Sequence, residues 1–195
     1  MKSILDRMWL AKPIACNVFV ETIDEGEDQF STGSGVLISP EGTIITAAHV
    51  VRKAKLIRVT LPDRSLVVID KHYIDPEHDV AFLDSMRSVD HFMPLSDSSV
   101  VVAGDKALHV GNVHGVYDDS ILRGTVLRVN MHRLMFDKTT GCIMVHLGAK
   151  PGCSGGGVYV RGKLIGIVTH IFGEDAFVFP SNICKDILDA CGLGE

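Results

Sequence analysis

Short runs rich in β-branched residues recur along almost the whole chain, and they restrict its fold more than any other feature. Residues 18–20, 36–38, 43–45, 56–60, 66–69 and 80–83 form one series of such runs. Residues 106–110, 120–129, 142–146, 157–160, 164–168 and 176–179 form a second. Each run is three to ten residues long, and turn residues such as Pro40-Glu41-Gly42 and Arg161-Gly162-Lys163 separate them. β-branched side chains suit a pleated, half-buried surface and lose rotamer freedom in a helix. Two sets of about six strands predict an all-β protein, built as two barrels or as a sandwich. The join is expected at the polar stretch around residues 94–99, giving halves 1–98 and 99–195. The pattern changes after Pro180, where Ile183, Ile187 and Leu188 take a helical period behind Ser181 and predict a closing helix that ends near Gly192. Ile4, Leu5, Met8 and Trp9 predict a short amphipathic helix at the start, and residues 24–28 an exposed acidic hairpin tip.

A chain of 195 residues with 46% hydrophobic and 22% charged residues can bury such a core. The net charge of -5 and the lack of a basic stripe argue against a nucleic-acid partner. No apolar run reaches the length of a membrane span, so no membrane partner is expected. Asp6 and Arg7 interrupt what would be the apolar core of a leader, and the five cysteines are odd in number and irregularly spaced. Together these predict reduced thiols in a cytoplasmic setting. Cys142, His146, Cys153 and His170 raise the question of zinc, but no C-x-x-C supports it and no metal or other cofactor is expected. Nothing here fixes an oligomeric state.

Chemistry is suggested by residues 151–157, Pro-Gly-Cys-Ser-Gly-Gly-Gly, where one hydroxyl stands among glycines. A serine hydroxyl becomes a nucleophile when a base takes its proton and backbone N–H groups hold the developing oxyanion. Taken alone, the stretch reads equally as a flexible turn. His49 follows an apolar run and small alanines in Ile44-Ile45-Thr46-Ala47-Ala48-His49, and suits a base. Asp79 opens the apolar run Val80-Ala81-Phe82-Leu83 and is the best carboxylate to orient that base. Asp70, Asp75 and Asp84 are simpler to read as turn residues.

Residues 33–51, from Gly33-Ser34-Gly35 to His49-Val50-Val51, closely resemble the histidine region of HtrA-type serine proteases of the chymotrypsin-like class. His78-Asp79-Val80-Ala81-Phe82-Leu83 resembles their aspartate strand, and Pro151-Gly152-Cys153-Ser154-Gly155-Gly156 with the strand to Thr169 resembles their serine loop. The likeness runs from about Ala15 to Leu188 in the order His, Asp, Ser, and it implies two antiparallel six-stranded β-barrels of the chymotrypsin-like kind. It implies that Ser154 attacks the scissile carbonyl of a polypeptide substrate, His49 relays the proton and Asp79 orients His49. It further implies an oxyanion hole from the N–H groups of Gly152 and Ser154, and a Thr169 that supports the aspartate. Gly148 and Ala149 would floor the primary specificity pocket, with Val168, His170 and Ile171 along a wall, Phe177 nearby and the substrate strand beside Thr169 to Ile171. No carboxylate lies at that floor, so small or medium aliphatic residues are expected before the cut; His146 and His170 would otherwise favour an acidic or amide side chain. Cys153 departs from the pattern and is expected to point away from His49. The PDZ domain common in that family has no counterpart, which implies a stand-alone protease domain. The other reading is a protease fold serving as a binding or structural subunit of a larger assembly, viral ones included, latent or self-processing.

Overall fold

The computed structural model describes residues 10–24, 30–117, 119–131 and 141–193. The expected amphipathic start (Ile4 to Trp9) and the body of the acidic tip (25–28) lie outside them. Residues 10–14 are helical and lead into the first strand.

The first half of the chain forms strands β1 (Asn17–Asp24), β2 (Phe30–Leu37), β3 (Thr43–Ala47), β4 (Ala54–Thr60), β5 (Leu66–Val68), β6 (Lys71–Asp75) and β7 (Val80–Asp84). They make one curled sheet in the order β5-β4-β1-β2-β3-β7-β6. A single helical turn, α1 (Ala48–Val51), leaves the end of β3. The second half forms β8 (Lys106–Asn112), β9 (Asp119–Met131), β10 (Cys142–His146), β11 (Gly157–Val160), β12 (Lys163–Phe172) and β13 (Asp175–Pro180). These close into a barrel in the order β10-β13-β12-β11-β8-β9, and α2 (Ser181–Cys191) ends the fold. Gly192 then takes a positive φ of 72°, the left-handed stop that glycine supplies at low cost. The all-β, chymotrypsin-like class read from the sequence is the class observed. The first half adds β6, which the apolar pattern does not announce. Its sequence, Lys-His-Tyr-Ile-Asp, is exposed over its first three residues because it is a sheet edge with one neighbour, β7.

The apolar runs face two interiors. Val18, Val36, Ile44, Ile45, Val59 and Phe82 belong to a core that reaches across to Val110, Tyr159 and Phe179 of the second half. Val126, Val145, Val158, Val168 and Val178 fill the barrel. Polar side chains also join the halves. Asn112 donates from Nδ2 to the Val18 carbonyl at 3.0 Å, and Asn17 donates to Asp119 Oδ1 at 2.7 Å. Ser96, between the halves, donates its N–H to the Leu164 carbonyl and accepts from the Ser181 hydroxyl.

His109 is fully buried on β8, with Nδ1 3.1 Å from the Gly157 carbonyl. Burial lowers its pKa from 6.5 to about 4. In the unfolded chain the imidazole binds its proton near 6.5, so between these two values the unfolded state holds more protons than the folded one. Stability from this group is therefore complete above 6.5 and is lost as pH falls to 4, by about 3 kcal/mol. Denaturant unfolding across that window is expected to show a shallower pH dependence for His109→Asn than for the wild type. Equal slopes would remove His109 as the source.

Candidate active site

Helix α1 has no side-chain cap of its own; Ala47 precedes it. Asp79 supplies the missing acceptors from the turn before β7. Its carbonyl accepts the Ala48 N–H at 3.0 Å, and its Oδ1 accepts the His49 N–H at 2.8 Å. Its other oxygen, Oδ2, lies 2.8 Å from His49 Nδ1. Asp79 does this with a φ of 57°, a left-handed conformation that aspartate tolerates better than most residues. One carboxylate thus fixes both the first turn of the helix and the imidazole it carries. The His49 side chain stays 31% exposed while that of Asp79 is 12% exposed. The base is reachable and its partner is sheltered. Of the competing carboxylates, Asp75 is held by His78 Nδ1 at 2.7 Å, and Asp84 lies 3.6 Å from Lys71 Nζ.

The loop carrying Ser154 is bound to the first sheet beside α1. Ser34 of β2 is the connector. Its N–H donates to the Ser154 carbonyl at 2.8 Å, and its hydroxyl donates to the Gly152 carbonyl at 2.8 Å while accepting the Asn112 N–H at 2.7 Å. Thr46 Oγ1 in turn donates to the Ser34 carbonyl at 2.7 Å. Gly155 passes so close that a Cβ there would lie 2.1 Å from the Ser34 carbonyl oxygen and 2.3 Å from Thr46 Oγ1, and its φ is +81°. Only glycine fits such an approach. Ser34, Asn112 and Thr46 are the positioning residues that the sequence reading passed over. The signal was present in Gly33-Ser34-Gly35, a hydroxyl between two glycines inside a buried strand.

Within the loop, the Pro151 carbonyl accepts the His114 N–H at 2.7 Å, which turns that carbonyl toward the Val113–Gly115 turn. Cys153 N–H donates to the Lys150 carbonyl and Gly156 N–H to the Cys153 carbonyl. The N–H groups of Gly152 and Ser154 donate to no acceptor among the described residues. The Ser154 hydroxyl makes no hydrogen bond to His49 among the described residues. Catalytic contacts are often open before substrate binds. Cys153 is fully buried in the barrel core, and burial pushes its thiol above the usual value, which leaves little thiolate.

Gly148 has a positive φ of 63° and open space where a Cβ would stand, and Ala149 beside it is buried. Val168 is buried, with its N–H on Gly156 and its carbonyl accepting from Gly155, so the strand behind the loop is tied to it. Ile171 and Phe177 are partly buried against the two cores. β11 begins with Gly157 opposite Ile167, so beyond Val168 strand β12 pairs only with β13 among the described residues. The Thr169 hydroxyl donates to the Phe177 carbonyl at 3.4 Å rather than to Asp79, contrary to the support expected of it. The physical reason is a bulge: Val168 pairs with Val178 and His170 with Phe177, leaving Thr169 unmatched. His146 is held by Asp175 at 2.7 Å, so it is a paired strand histidine on the barrel surface. Among the described residues no three His, Cys, Asp or Glu side chains gather to hold a metal ion.

A family model described as a trypsin-like peptidase domain matches residues 33–167. A protein of Pseudomonas putida named "Probable periplasmic serine endoprotease DegP-like" is 30% identical over 171 residues, 84% of this chain and 35% of that protein. A protein of the same name from Halomonas elongata is 31% identical over 170 residues, again 84% of this chain and 35% of its own length. Among solved structures, the HtrA-type protease AlgW with tripeptide superposes with a TM-score of 0.85 at 26% identity, over 93% of this chain and 62% of that one. The chain therefore spans about a third of the curated relatives it matches. Their names correct one expectation: the relatives are periplasmic, which overturns the cytoplasmic setting read from the sequence. That reading rested on the first few residues and on an odd cysteine count, and neither fixes a compartment.

Proposed function

This chain belongs to the trypsin-like peptidase family, and from that premise we propose that it is a serine endopeptidase that cleaves polypeptides with Ser154 as nucleophile, His49 as general base and Asp79 as the residue that orients it. The carrying observation is the double use of Asp79, which holds both the backbone and the ring of His49. With Nδ1–H donated to Asp79, the free Nε2 of His49 is the acceptor for the serine proton. Ser154 attacks the carbonyl carbon, His49 takes the hydroxyl proton and then gives it to the leaving amine, and water releases the acyl group by the reverse sequence. Gly152 and Ser154 N–H groups receive the oxyanion, a role supported by their lack of another acceptor among the described residues. Each such donor is worth on the order of 100- to 1000-fold in rate.

The substrate adds as an extended strand along Thr169 to Ile171, where β12 has a neighbour on one side only. Gly148, Ala149 and Val168 bound the pocket for the side chain before the cut, with Ile171 and Phe177 farther out. That lining carries no carboxylate and takes small or medium aliphatic side chains. The two halves, 1–98 and 99–195, divide the work: the first carries the base and its carboxylate, the second the nucleophile and the pocket.

Cleavage of a peptide library by the purified protein tests the reading. Cuts after Ala, Val or similar residues are expected. Cuts concentrated after Lys or Arg would contradict the pocket.

A further inference from the structure

Two imidazoles converge on one carboxylate oxygen. Asp79 Oδ2 lies 2.8 Å from His49 Nδ1 and 3.5 Å from His170 Nδ1. The two rings lie 5.7 Å apart between centroids, tilted by 56°. The His170 side chain is 30% exposed, so it sits at the mouth of the site rather than in the core. Its neighbour Thr169 has turned its hydroxyl to the Phe177 carbonyl, because the bulge in β12 shifts the register between Val168 and His170. Bulges commonly re-aim a side chain beside an active site. Here the side chain that β12 presents to Asp79 is an imidazole, not a hydroxyl.

We propose that His170 is a positioning residue for proteolysis, its Nδ1–H steadying the Asp79 carboxylate in the orientation that aligns His49. The inference rests on the roles assigned above to His49, Asp79 and Ser154. Among the described residues, both hydrogen bonds to the Asp79 carboxylate come from α1, so they hold carboxylate and helix to each other. Neither relates that pair to the nucleophile. His170 belongs to the barrel, as Ser154 does, and β12 is bonded directly to the serine loop through Val168 with Gly155 and Gly156. A contact from His170 to Asp79 therefore sets His49 against Ser154 across the two halves. At 3.5 Å it is longer than a closed hydrogen bond. Contacts of this kind tighten when substrate fills the site. Misplacing a catalytic group by even a fraction of an ångström weakens proton transfer while leaving substrate binding intact.

The test compares the wild type, His170→Ala and His170→Asn in reaction with a fluorophosphonate probe, separating the maximal rate of inactivation from the probe affinity. The asparagine amide nitrogen occupies nearly the place of the imidazole Nδ1, so it restores the donor without the ring. His170→Ala is expected to lower the maximal rate about ten-fold, the size of a lost hydrogen bond to a charged group, with affinity unchanged. His170→Asn is expected to recover most of that rate. A change confined to affinity would make His170 a wall of the specificity pocket and overturn the inference. So would an alanine variant as fast as the wild type, or an asparagine variant no better than alanine. Failure of the parent reading is distinct: the wild type would not react, or would react equally after Ser154→Ala, and the inference would fall with it.

Discussion

Ser154→Ala is expected to lower peptide hydrolysis roughly a millionfold, to the residual rate that binding and oxyanion stabilisation alone can give. The loss follows from the loop's construction. Its backbone is set by Ser34, Asn112, Thr46 and the glycine at 155, and none of these contacts uses the Ser154 side chain. Removing the hydroxyl therefore leaves the loop and the fold in place, and the unfolding midpoint is expected to stay near that of the wild type. Cys153→Ala is the companion. Its thiol is buried in the barrel core and accepts from the Lys150 N–H, so hydrolysis should persist without it. Rates for both variants, measured on one peptide, check the assignment. A nearly full rate in Ser154→Ala, or a collapse in Cys153→Ala with the fold intact, would reverse the choice of attacking atom.

Asp79→Asn carries the second large expected effect, a drop of about ten-thousandfold in kcat. Asparagine tolerates the left-handed φ of 57° at this position, so the turn before β7 survives. Its amide oxygen can still accept the His49 N–H, and the backbone carbonyl still accepts from Ala48. The amide NH2 then faces His49 Nδ1, which must become an acceptor. The ring proton moves to Nε2, and His49 can no longer take a proton from Ser154. An alanine at 79 would mix this effect with loss of the helix cap and is the poorer probe. A fall of less than ten-fold in kcat for Asp79→Asn, with an unchanged unfolding midpoint, would show that Asp79 does not set the His49 tautomer.

The parts of this molecule that were legible in the sequence are those whose chemistry is local. Val80-Ala81-Phe82-Leu83 reads as a strand because both faces of β7 are buried, so every position is apolar. His49 and Asp79 read as a pair because each adjoins a recognisable apolar run. β6 was not legible, since an exposed edge strand needs no apolar alternation. Ser34 was legible only as a hydroxyl between two glycines: its work is done with partners at 112, 152 and 154, which lie far from it along the chain. Thr169 and His170 show the sharpest limit. A side-chain alternation of two assigns their faces, but the bulge shifts the register at that point and gives Asp79 the neighbour that a regular strand would not.

An activated Ser154 is the residue to which a fluorophosphonate should attach, and the site of attachment can be read directly. Labelled protein is digested and the modified residue located by mass spectrometry. One phosphonylated site is expected, the Ser154 hydroxyl, with no label in Ser154→Ala. An adduct on another residue, or label that survives in Ser154→Ala, would contradict it.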